Sequence, residues 1–372
     1  MAETADATRD LLDAIKTPRV VEEFGLGRWD LLIRQARRTR LLSRIAVRTA
    51  DLGLTGSLPP GVGDTLTAAR NVASDNRRMI TWEINRIRRA LADVDTPVIL
   101  LKGAAYAAAD LPPARGRIAG DIDIMVPAAR LEEVEATLQR HGWCSITFSD
   151  YDQRYYRRWM HELPPLRHAE RETVIDVHHT ILPRTSRLRP DPDKLWHATR
   201  AVADTGMQML GPQDMVLHSA AHLFQDGDLN FALRDLVDIV DLLGCFGAEP
   251  EFWDGLFERS EVHQLQRPLF YALRYGAMLL DLSVPADVER KIAAAAPRNL
   301  ALELMDRTVP KALLPDHPDR PSGIRGRAAM LLYLRSHWLR MPPLLLAAHL
   351  AHKSVIQVSM AYLRWRRDKA AA

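Results

Sequence analysis

Cysteine is almost missing from this sequence: its 372 residues include only Cys144 and Cys245. Two thiols so far apart in a chain of this length build neither a disulfide framework nor a cysteine zinc site, so a reducing, cytoplasmic setting is expected. A secretion leader is missing too. The start, MAETADATRDLLDA, is acidic and alternating where a leader needs a basic end and an apolar run. Long apolar runs are absent: near the C-terminus the longest, Met341 to Leu350, is about half the ~20 residues that cross a bilayer. Charge of one sign is not in excess either. The 50 basic residues face 47 acidic ones, a net +3 too mild to indicate a nucleic-acid partner. No fixed-period repeat is visible.

What remains is an ordinary globular balance, 47% hydrophobic and 26% charged, in a chain long enough for two or three domains. Residues 8 to 50 carry apolar positions at helical spacing (Leu11, Leu12, Ile15; Leu31, Leu32, Ile33; Leu41, Leu42, Ile45). After the Leu58-Pro59-Pro60-Gly61 break, Asp64 to Val94 reads as one long helix. The period then changes. Pro97 to Leu101 is a short apolar run of the buried-strand kind, followed by an alanine-rich helical stretch from Ala104 to Asp110. Asp121 to Val126 alternates as a strand, Pro127 opens a helix that Gly142 closes, and Thr173 to His178 is a third strand. From about Leu188 onward the pattern predicts helices, among them Gln213 to Phe224, Leu229 to Gly244 and Ile324 to Trp338, with a proline-rich loop at 309 to 323. The expected organisation is a helical region over 1–95, a compact α/β or α+β unit over 96–187, and a helical region over 188–372.

The core carries the chemistry. Side chains alternate along a strand, so Asp121 and Asp123 share one face while Ile122 and Ile124 share the other. Two carboxylates this close repel unless a cation sits between them. Mg²⁺ or Mn²⁺ resolves that cost, held by carboxylates and substrate phosphates. Asp176, mid-strand between Ile175 and Val177, converges on the pair if the two strands are neighbours. Three acids around two metals suit in-line displacement at phosphorus. Upstream, Lys102-Gly103-Ala104 sets small residues where a strand turns into a helix, a geometry that lets backbone amides approach a phosphate. Lys102, Arg115 and Arg117 are candidates to neutralise a triphosphate.

These segments resemble the DNA polymerase β-type nucleotidyltransferases, in which a glycine turn precedes Asp-hydrophobic-Asp and a third acid lies on a later strand. The chain is most similar to an uncharacterised bacterial branch of that superfamily, through Leu101-Lys102-Gly103, Arg117, Asp121-Ile122-Asp123, His161, Pro164-Pro165 and Asp176-Val177-His178. The helical stretch holding His218, His222, Leu233-Arg234-Asp235 and Asp238 is similar too. Ala104 stands where the family has a second Gly or Ser, and the spacing from Gly103 to Asp121 is long. The resemblance implies an α+β fold, a small core of mixed sheet with helices flanked by helical regions, and a transferase moving a nucleoside monophosphate from an NTP to an acceptor hydroxyl. The metal ligands would be Asp121, Asp123 and Asp176, with Lys102, Gly103, Ala104, Arg117 and His178 around the nucleotide. The acceptor stays open between small molecule, peptide and protein.

Other readings stand beside these. Another activated phosphate donor, such as a nucleotide sugar, would suit the same metal site in polysaccharide or modified-peptide biosynthesis. A non-catalytic module would keep the fold alone. His218 and His222, four apart on a helix, are read as a packed pair because no further zinc ligands are spaced to join them. The segment from Leu344 to Lys369, apolar early and basic late, is read as a terminal helix packed on the body, with weak membrane-surface contact as the other reading.

Overall fold

The computed structural model describes residues 2–146, 149–225, 229–344 and 346–347. Helices come first: α1 (Ala2–Lys16), α2 (Leu26–Arg38), α3 (Leu42–Asp51) and the long α4 (Pro60–Ala90). The middle of the chain runs β1 (Ile99–Leu100), α5 (Lys102–Ala108), β2 (Asp121–Met125), α6 (Leu131–Arg140), β3 (Trp143–Ser145), α7 (Asp150–Trp159), β4 (Leu166–His168) and β5 (Val174–His178). Then come α8 (Pro192–His197), β6 (Arg200–Ala201), β7 (Gln208–Met209), α9 (Pro212–Gln225), α10 (Ala232–Phe246) and α11 (Pro250–Val262). The last four are α12 (Gln266–Leu280), α13 (Ala286–Ala293), α14 (Asn299–Leu313) and α15 (Ile324–Arg340).

The sheet is mixed, in the order β3-β4-β5-β2-β1-β7-β6. Its centre is the parallel pair β2 and β5, whose register sets Asp121 against Val174 and Asp123 against Asp176. Ile122, Ile124, Ile175 and Val177 are all buried on the other face. That apolar side fixes the register, because a slip of either strand by one residue would carry its two aliphatics off the buried face at about 1.5–3 kcal/mol each. Helices cover the sheet, so the protein is α+β. One apolar cluster runs from Leu11 in α1 through the sheet to Leu332 in α15, with Trp29, Trp143 and Tyr106 among its largest fully buried side chains.

Several expectations shift. The long helix starts earlier and ends earlier than the periodicity predicts, because Pro60 supplies a ready-made first turn. The sheet takes two strands, β6 and β7, from the segment read as helical, and β3 and β4 from the stretch between Gly142 and Thr173, where the pattern predicts no element. All four are two or three residues long and carry no readable period. The expected loop at 309 to 323 begins late: α14 continues through Pro310 to Leu313. Val309, Ala312 and Leu313 are buried there, and this apolar contact keeps the helix going past a residue that cannot donate a backbone hydrogen bond. Residues 348–372, which hold most of the basic terminal segment, lie outside the described residues. Among those described, no helix is long and apolar enough to cross a membrane.

Buried charge joins the helices to the sheet. The Arg44 guanidinium of α3, 3% exposed, donates to Asp238 of α10 at 2.6 Å, to the Pro113 carbonyl at 2.8 Å, and to Asp241. Backbone contact tightens the same joint. Gly116 has a left-handed φ of 75°, and a Cβ on it would lie 2.6 Å from the Arg44 Cα. Gly116→Ala is therefore expected to cost at least about 2 kcal/mol, combining the left-handed penalty with displacement of α3. Gly53→Ala, at φ 72° but with nothing within 4 Å, should cost only the backbone part. Chemical denaturation of both variants checks the difference; equal losses would remove the close approach from the explanation.

Candidate active site

At the carboxyl-bearing face of β2 lies a cleft of about 400 Å³. Its floor is Gly120, Asp121, Asp123 and Val174, with Lys102 and Tyr106 from α5 beside them. The facing wall comes from α9 and α10 through Ser219, His222, Phe231, Arg234, Asp235 and Asp238, and the rim includes Arg40. The Asp-Ile-Asp pattern thus turns its acids to the cleft and its isoleucine to the core, as strand alternation requires.

Asp176 sits beside Asp123 in the sheet register, in partial burial, and its Oδ1 is buried without a hydrogen-bond partner. Burial pushes its carboxyl up to about 8, and the charges of Asp123 and Asp121 add to the rise. Asp121 is also raised, first by desolvation in the cleft and then by Asp123. Asp123 goes the other way. Burial alone would raise it, but Lys102, with Nζ 3.6 Å from Oδ1, and a hydrogen bond from His178 outweigh that and hold it below the usual carboxylate range. The three acids therefore form one interacting group, with one member charged and compensated and two resisting ionisation.

An orphaned carboxylate oxygen beside two further acids is an all-oxygen donor set, the kind that suits Mg²⁺ or Mn²⁺. His178 lies behind, 1% exposed, its Nε2 3.1 Å from Asp123 Oδ1 and its Nδ1 3.4 Å from Glu162 Oε2. His161, Glu162 and His178 bring one ligand atom each within 4.8 Å of one another, so the acid is backed by an imidazole and a second carboxylate. Among the described residues this His-Glu-His group is also the one whose ligand atoms lie close enough together to hold a metal ion.

Arg117 crosses the cleft edge. Its Nε donates to Asp238 Oδ2 at 2.8 Å, and although burial opposes its charge, Asp238 and Asp235 keep it firmly protonated. Gly103 makes room for it: a Cβ there would sit 2.6 Å from Arg117 Nη1. Gly103 and Ala104 are buried behind the cleft rather than on its surface, and the glycine turn serves the guanidinium directly. Lys102 reaches the cleft from a left-handed backbone, φ 42°. Arg115 turns away and pairs with Asp51 at 2.9 Å. His218 is buried and held well below its ordinary value, by burial and then by Lys102, whereas His222 reaches the cleft. Arg40, Tyr106, Ser219 and Phe231 were not legible as site residues. Each arrives by tertiary packing, with no local pattern to mark it.

A profile of the uncharacterised nucleotidyltransferase family matches residues 27–281, well over half of the chain and the whole of this cleft. The chain belongs to that family and is a nucleotidyltransferase. No curated protein matches it. Among solved structures, the antibiotic-resistance factor ANT(2'')-Ia is similar at 13% identity and a TM-score of 0.31, over 55% of this chain and 98% of that one. An antigenic nucleotidyltransferase-like protein from Paracoccidioides brasiliensis is similar at 11% identity and a TM-score of 0.31, over 57% of this chain and 96% of that one.

The raised Asp176 carboxyl sets a pH dependence. An acid with a folded value near 8 and an ordinary unfolded value binds its proton more tightly when folded. Its presence therefore costs stability progressively as pH rises from about 4 to about 8, and the cost is complete above that window. Asp176→Asn should stabilise the metal-free protein at pH 8.5 by roughly 2–5 kcal/mol, with the gain shrinking toward pH 5. Melting curves of both proteins across that range test the sign; a variant less stable at pH 8.5 would overturn it.

Proposed function

We propose that this cleft transfers a nucleoside monophosphate from an NTP to an acceptor hydroxyl and releases pyrophosphate, with Asp121, Asp123 and Asp176 holding Mg²⁺ or Mn²⁺. The observation that carries this reading is the pairing of Asp123 with Asp176 across β2 and β5, with a buried, unpartnered carboxylate oxygen beside it. Family membership supports nucleotidyl transfer as the reaction class. When bound, the metal would neutralise the acids and support charge on the attacking and leaving oxygens.

The chain's own residues do the rest. Lys102 Nζ, near Asp123, is placed to meet phosphate oxygens at the floor of the cleft. Arg117, fixed at its Nε by Asp238, lines the same cleft and would bring its positive charge to a phosphate there. His178 holds Asp123 from behind, so the carboxylate does not rotate away when the cleft fills. The α9–α10 wall, with Ser219, His222 and Asp235, faces the acids across the cleft and is the surface left for the acceptor.

Thermal stability of wild type and of an Asp121→Asn/Asp123→Asn variant, with each NTP and with or without Mg²⁺ or Mn²⁺, tests the reading. The expected result is a metal-dependent rise in wild type, about 2.7 kcal/mol at a hundredfold excess over Kd, which the variant lacks. A response to nucleotide sugars but not to NTPs would transfer the site to another donor. No response to any nucleotide from a folded wild type would leave the fold as a binding module.

A further inference from the structure

We infer that Arg40, carried by the α2–α3 turn outside the sheet, docks the polyphosphate tail of the nucleotide donor. This rests on the nucleotidyl-transfer reading of the cleft and adds to it a residue from the N-terminal helices.

The turn itself is the first sign. Arg40 has a left-handed backbone, φ 56°, one residue beyond the Thr39 cap of α2. Its N–H donates to the Arg37 carbonyl at 3.1 Å, and the Leu41 N–H donates to the Ala36 carbonyl at 2.8 Å. Those two bonds form the helix-ending motif in which glycine, or sometimes asparagine, is the usual residue at the left-handed position. An arginine there is unfavourable for the backbone, so the local fold gives no reason for it.

Its side chain supplies one. The guanidinium lies over the Phe231 ring, 3.8 Å from the centroid, and reaches the cleft rim beside Gly120, where a Cβ would sit 3.8 Å from its Nη1. Stacking on an aromatic face orients the planar fork and leaves its in-plane N–H groups available. The other cationic side chains lining the cleft have carboxylate partners: Lys102 with Asp123, Arg117 with Asp238, and Arg234 with Asp235. Among the described residues, Arg40 makes no ion pair. Burial first, and then the like charges of Arg234 and Arg117, disfavour its charge, while Asp121 and Asp235, neither of them in ion-pair contact with it, offset them only in part. An uncompensated guanidinium held at the mouth of an acid-floored cleft wants an anion. Metal-binding carboxylates place substrate phosphates next to themselves, and Gly120 and Asp121 are Arg40's neighbours on the floor, which selects the polyphosphate over an anionic acceptor.

Glycine separates this role from a structural one, because Arg40→Gly suits the left-handed turn. The experiment uses the full chain as wild type, Arg40→Gly and Arg40→Lys, titrated by calorimetry with inorganic tripolyphosphate and with ATP, GTP, CTP and UTP in the presence of Mg²⁺. Arg40→Gly is expected to melt no more than about 2 °C below wild type and to bind tripolyphosphate and the preferred NTP at least tenfold more weakly, with partial recovery in Arg40→Lys. The uncharged nucleoside of that NTP should bind all three proteins alike. Wild-type affinity for tripolyphosphate and NTP in Arg40→Gly overturns the inference, and leaves an anionic acceptor as the partner of that guanidinium. If wild type itself binds neither tripolyphosphate nor any NTP, the nucleotidyl-transfer reading fails first and takes this one with it.

Discussion

Asp238 accepts two guanidinium groups at once, from Arg44 and from Arg117, in a place almost closed to water. A lone carboxylate there would carry a desolvation cost of several kcal/mol, and so would either arginine. None of the three is therefore free to leave. Arg44 belongs to the N-terminal helices, Arg117 to the approach to β2, and Asp238 to the C-terminal helices. The same three-group contact that satisfies these charges also sets the width of the cleft, because it spans from α3 to α10 beside the sheet. Gly103 and Gly116 belong to this device: one clears space for Arg117, the other lets the chain lie on the α3 backbone. A buried ionic joint is a poor source of net stability against an apolar one. Its use here is geometric, fixing a cationic edge beside an acidic floor.

That floor carries the opposite constraint. Asp123 and Asp176 face each other on adjacent strands because the aliphatics behind them admit only one register. The apolar face thus imposes a repulsion on the polar face. Lys102 and His178 relieve it at Asp123, while Asp176 keeps an unsatisfied oxygen. The protein tolerates this where a structural protein would place a neutral pair, and local rules fail in this way at sites with work to do.

Much of this was readable in the residues. Asp-Ile-Asp-Ile and Val-Ile-Asp-Val-His each carry a strand period, so the shared face of Asp121 and Asp123 follows from alternation alone, while Asp176 joins them only because β2 and β5 are neighbours. The long helix and the α9 and α10 helices follow from their apolar stripes. The short strands β3, β4, β6 and β7 did not, since two or three residues show no period and are paired by their neighbours. Pro310 misled because packing overrides a local breaker. Arg115 and Arg117 looked equivalent in sequence, yet one pairs with Asp51 at the surface and the other with Asp238 in the cleft. Only contacts 64 and 121 residues away along the chain decide between them. Arg40 was silent for the same reason.

Because β2 and β5 run parallel, the chain must leave one strand end and return to the other before they can pair. The intervening crossover carries α6, β3, α7 and β4. Closing so long a loop costs entropy before any contact rewards it, and parallel pairing across it is a late event on a folding path. The mutual repulsion of Asp123 and Asp176 arises only once the central pair has formed. Helices on either side can collapse first, unopposed by it. The candidate site is in this sense a kinetic feature as well as a chemical one: its acids meet only when the rest of the sheet is ready to hold them together.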